Sequence, residues 1–98
     1  MPVLEISIIP VGTDQASFSS YLTQAQDIFE RRGLSYQVTP MSTMVEGKFD
    51  DLMSVASEVH QLPFQAGVNR VITNMTIDER RDKEMNMSSM VEAVKNPK

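Results

Sequence analysis

The apolar residues of this 98-residue chain switch between two spacings in a fixed order, and that order leaves few folds open. Val3 to Val11 is rich in branched residues and runs into Pro10, Gly12 and Thr13, the pattern of a strand entering a turn. From Ala16 the period becomes helical, with Phe18, Tyr21, Leu22, Ala25, Ile28 and Phe29 on one stripe, Asp14 or Ser17 as N-cap, and Gly33 placed to end the helix. Leu34 to Thr39 alternates, Pro40 interrupts, and a further strand over Met41 to Glu46 completes a predicted hairpin. Helical spacing returns at Leu52, Val55, Ala56 and Val59, with Asp50 or Asp51 as cap and Pro63 with Gly67 as the close. Asn69 to Asp78 is strand again.

The order β, α, β, β, α, β predicts an α+β fold: a ferredoxin-like βαββαβ sandwich, with a four-stranded antiparallel sheet and both helices on one face. Period two then assigns faces. Leu4, Ile6 and Ile8 belong under the helices, which leaves Glu5 and Ser7 on the open face, joined by Ile72, Asn74 and Thr76 from the last strand. In the third strand Thr43 and Val45 oppose Met44 and Glu46, and neither pair is clearly the core set. A charge run from Glu79 to Glu84 precedes Met87, Met90, Val91 and Val94 at helical spacing, so a short terminal helix is expected. Its single apolar stripe needs a surface to dock on, in its own domain or in a neighbouring subunit. Residues 1–98 fit one domain, and a domain this small buries a modest share of its surface, so a homo-oligomer, a dimer of dimers, is the expectation.

Composition excludes several functions. Thirteen acidic residues against nine basic ones give a net charge of -4, the wrong sign for tracking phosphates, so no nucleic-acid partner is expected. There is no cysteine and one histidine, His60, which rules out thiolate sites and histidine clusters; no metal and no cofactor is expected. No apolar run approaches the roughly 20 residues of a membrane span, and no basic leader precedes an apolar stretch, so the expected location is cytoplasmic. Met53, Met75 and Met90 are expected as core filler.

Carboxylates are depleted in strands, because each must face water or find a partner that offsets its desolvation. Glu5 and Glu46 both fall in predicted strands. With Ser7, Thr43 and Asn74 they form a candidate ligand set of acceptors, hydroxyls and an amide, suited to a small heterocycle that bears amino donors and ring-nitrogen acceptors. The same residue types also serve subunit interfaces. Glu5 or Glu46 as a general base in a small enzyme is a further alternative, but no nucleophile elbow, metal set or cofactor fingerprint accompanies them. Asp78, Arg80 and Arg81 suit either an anion clamp or an exposed ion-paired turn, and Pro10 to Thr13 a tight strand-to-helix turn.

Three segments carry a resemblance: Leu4-Glu5-Ile6-Ser7-Ile8-Ile9-Pro10-Val11-Gly12-Thr13, then Met41-Ser42-Thr43-Met44-Val45-Glu46-Gly47, then Arg70-Val71 with Ile77-Asp78-Glu79-Arg80-Arg81-Asp82. In joint order and spacing they resemble the small thiamine-binding protein family of bacteria, archaea and yeast. The resemblance implies a ferredoxin-like subunit, assembly into dimers and tetramers, and binding of thiamine or its hydroxymethylpyrimidine moiety without catalysis. The site residues themselves come from strand position, with Glu5 and Glu46 expected to recognise charge and amino groups.

Overall fold

The chain is seen here as a computed structural model that describes residues 1–12, 18–84 and 86–95, with side chains of the first helix from residue 21 onward. The elements are β1 (Val3–Val11), α1 (Phe18–Arg31), β2 (Ser35–Val38), β3 (Thr43–Glu46), α2 (Phe49–Gln65), β4 (Arg70–Asp78) and α3 (Met87–Lys95). The sheet order is β2-β3-β1-β4 and every neighbouring pair is antiparallel. This is the expected ferredoxin-like topology, including the short terminal helix.

Register decides the faces. Leu4, Ile6 and Ile8 lie opposite Ile77, Met75 and Thr73 on β4, while Leu4 and Ile6 lie opposite Val45 and Thr43 on β3. Paired residues share a face, so this set lies beneath the helices. There it packs with Ala25, Ile28 and Phe29 of α1 and with Leu52, Val55 and Val59 of α2. The parity that remained open for the third strand is thereby resolved, with Thr43 and Val45 inward and Met44 and Glu46 on the open face. Glu5, Ser7 and Ile9 share that open face with Thr76, Asn74 and Ile72.

Helix ends follow local chemistry. Gly33 takes φ 68°, a left-handed conformation that glycine adopts without a Cβ clash, and its amide donates to the Glu30 carbonyl while the Leu34 amide donates to that of Phe29. The expected caps at Asp14 or Ser17 lie outside the described residues, as does Thr13. At α2 the expectation is corrected. Lys48 occupies the N-cap without a side-chain hydrogen bond, and Asp50 and Asp51 sit in the first turn, where their charge complements the helix dipole. Pro63 lies inside α2, buried, and the helix ends two residues beyond it.

The methionine expectation is also corrected. Met53 and Met90 are half-buried and Met75 is 46% exposed, so none of the three fills the core. The cause is position: β4 is an edge strand and α3 contributes no buried residue.

Candidate functional site

The β2–β3 turn builds one wall of the candidate site. Thr39 organises it: its hydroxyl donates to the Ser42 carbonyl at 2.9 Å and accepts from the amides of Met41 and Ser42 at 3.3 and 3.0 Å. That turn aims the Ser42 hydroxyl across the sheet, where it donates to Glu5 Oε2 at 3.1 Å. Glu5 is exposed, has no ion-pair partner among the described residues, and faces Met44 across the strand pair. It therefore carries a negative charge with unfilled acceptor capacity.

Beyond Met44 lies a mainly apolar groove of about 490 Å³, formed between α3 and the β2–β3 half of the open face. Met44, Met87, Met90 and Val91 line it, with Thr39 at its rim and the Lys95 ammonium adding the opposite charge to that of Glu5. Its volume falls within the usual range of small-molecule sites.

Glu46 holds α3 in place. Its Oε2 accepts the backbone amide of Met87, the first residue of the helix, at 2.9 Å. The N-terminal amides of a helix lack intrahelical partners, and a carboxylate satisfies one of them while complementing the dipole. A second carboxylate of the candidate set thus has a structural task already.

The five sequence candidates divide. Glu5, Ser7, Glu46 and Asn74 share the open face, with Ser7 directly opposite Asn74 on β4. Thr43 does not join them. It is 6% exposed on the helix side, where it lines a water-sized cavity of about 20 Å³ with Tyr21, Phe29 and Val59. Ser42 and Thr39 were missed. Ser42 stands in the same motif as Thr43, and the Pro40 break beside it was the available signal that this segment turns and can project a hydroxyl sideways.

The charged segment after β4 forms an exposed ion-paired turn. Arg80 donates to both carboxylate oxygens of Asp82 at 2.7 and 2.5 Å, which holds the Asp82 carboxyl below its ordinary range, and Arg81 pairs with Glu79 at 3.9 Å.

The profile of the thiamine-binding protein family matches residues 4–95, from the first core strand to the end of α3. The chain belongs to the thiamine-binding protein family. Among its relatives, UPF0045 protein YqgV of Bacillus subtilis is 42% identical over 98 residues, covering 96% of this chain and 94% of the relative. A UPF0045 protein of Staphylococcus xylosus is 44% identical, covering 96% and 92%. The crystal structure of MJ1052 from Methanocaldococcus jannaschii superposes with a TM-score of 0.84 at 34% identity, covering 96% of this chain and 95% of that one. A Thermotoga maritima protein of thiamine biosynthesis or salvage, at 19% identity and a TM-score of 0.75 over 95% and 97% of the two chains, shares the fold. MJ1052 thus shares the arrangement of strands on which Glu5 and Glu46 sit in this chain.

Proposed function

We propose that this chain binds thiamine or its hydroxymethylpyrimidine moiety without turning it over, in carriage, salvage or sensing, as a cytoplasmic homo-oligomer. The observation that carries the proposal is membership in the thiamine-binding family across residues 4–95. The chemistry of the open face supports it. The thiazolium ring is a cation, favoured near the unpaired Glu5 carboxylate, while the aminopyrimidine needs an acceptor for its amino group and a donor for a ring nitrogen. Glu5 supplies the acceptor, and the Ser42 hydroxyl, whose proton goes to Glu5 in the free protein, becomes the donor once the ligand's amino group takes its place on that carboxylate, beside an apolar groove of sufficient size.

Thermal unfolding with added ligand tests the proposal. A ligand that binds only the folded state adds about 2.7 kcal/mol at a hundredfold excess over its dissociation constant. Thiamine and hydroxymethylpyrimidine should each raise the melting temperature, and choline, a cation without the pyrimidine, should not. Equal protection by choline would reduce recognition to generic cation capture, and no protection by any of the three would remove the proposal. Recovery of altered ligand after incubation would favour an enzyme with Glu5 as base.

A further inference from the structure

The opposite side of the sheet holds a second concave surface, a groove of about 340 Å³ between α2 and the edge strand β4. Met53, Ala56, Ser57 and His60 line it from α2, at the i, i+3, i+4, i+7 spacing that makes one helical stripe. Thr73 and Met75, two apart on the helix-facing side of β4, line it from the sheet. Ala56 and Ser57 are too short to fill the middle. What remains facing the space is an imidazole, two thioethers and two hydroxyls, with no charged side chain among the lining residues.

His60 is anchored there. Its Nδ1 lies 2.6 Å from Thr73 Oγ1, and its ring meets Phe64 edge-on at 5.5 Å between centroids. With the proton on Nδ1, Thr73 accepts it and Nε2 keeps its lone pair free, the tautomer in which an oriented histidine ligates a metal. Thioether and neutral imidazole are soft or borderline neutral donors, which suit Cu(I) and Ag(I). Hard cations need oxygen anions, and among the described residues no three of His, Cys, Asp and Glu converge on a metal site. Lack of cysteine excludes a thiolate site but leaves this combination available. The methionine side chains are unbranched and flexible, so their sulfurs can close on an ion from either side of the groove.

We propose that His60, Met75 and Met53 form a binding site for a soft monovalent cation, Cu(I) or Ag(I), in the groove between α2 and β4. His60 Nε2 and the Met75 sulfur are the principal ligands from facing elements, and Met53 completes the set. Thr73 is the positioning residue. The site is separate from the open face and does not depend on the thiamine reading.

The test is titration of the full-length protein with Ag(I), and with Cu(I) under reducing conditions against a chromogenic chelator, followed by NMR of histidine nitrogens and methionine methyls. The expected result is one high-affinity equivalent that shifts His60 Nε2 and the methyls of Met75 and Met53. His60→Asn and Met75→Leu should abolish that equivalent, and Thr73→Val should weaken it about tenfold, as loss of an orienting partner does. Leucine at both Met44 and Met90, which belong to the α3 groove, should leave it unchanged. Three results would overturn the proposal: shifts confined to Met44, Met87 and Met90, undiminished affinity in folded His60→Asn, or equal affinity for Zn(II).

Discussion

Glu5 is a carboxylate in an inner strand whose only side-chain hydrogen bond among the described residues comes from Ser42. That leaves its charge available to a ligand and gives it little work in the fold. Glu5→Gln preserves shape while removing charge and acceptor strength, so calorimetry should show thiamine affinity falling by about 1.5–3 kcal/mol, the worth of a charged hydrogen bond. The ligand-free melting temperature should stay the same; if it drops instead, Glu5 belongs to the scaffold. Tyr36 gives a different residue-scale prediction. Its hydroxyl donates to Glu30 at 2.7 Å, and this hydrogen bond, then burial and the nearby negative charge, raise its pKa above the ordinary tyrosine value. A raised folded pKa means the contribution to stability is fully present below the unfolded value and is lost as pH rises through the folded one. Denaturant titrations of Tyr36→Phe should therefore show a flatter alkaline limb of stability against pH. Thr43 shows what single residues conceal. Its side chain is compatible with either face, and only pairing with Ile6 reveals that it points inward.

At the scale of elements, α3 is the least secured part of the structure. Its apolar stripe buries no residue, and Glu46 receives its first amide. A capping interaction contributes about 1 kcal/mol, a large share for a helix with so little packing. Glu46→Ala should speed exchange of the Met87 amide and tryptic cleavage at Lys95 of α3, while the amides of α2 keep their protection. Unaltered exchange at Met87 would show that packing and the Asn86 side chain, which accepts the Ser89 amide at 2.8 Å, hold the helix without Glu46. Element order was legible because the period of the apolar residues changes wherever an element ends, and the inward face of β1 followed from Leu4, Ile6 and Ile8. Two things were hidden. The start of α2 depends on Gly47 and Lys48 passing the chain from β3 directly into a helix, a tertiary constraint that overrides the cap preference of Asp50. Exposure of Met53, Met75 and Met90 depends on which strand lies at the edge, and no local pattern encodes that.

For the whole molecule, the homo-oligomer proposed above would cover apolar side chains that a single chain leaves exposed. Ile9 and Ile72, opposite each other on the open face, are 48% and 39% exposed, and Val91 and Val94 of α3 are 41% and 79% exposed. Exposed apolar side chains of this kind suit an interaction surface, and closed symmetric assembly is the commonest way to cover one. Light scattering at micromolar concentration should return a mass above that of one chain, with a tetramer expected; a monomer would leave the open face bare and weaken the case for a ligand site sheltered there. Introducing Asp at Ile72 should dissociate the assembly without unfolding the subunit, because that side chain lies outside the core.

β1 lies between β3 and β4, so among the four strands the earliest to be made is the one flanked on both sides in the finished sheet. One side can close once the hairpin has been made, but the other waits for residues 70–78. During that interval translation leaves a nine-residue, isoleucine-rich edge open to any passing chain. A message broken between the codons for Gly67 and Arg70 would therefore release a fragment with its central strand unguarded, a product destined for aggregation or proteolysis. Residues 70–78 thus guard β1 as much as they complete the sheet.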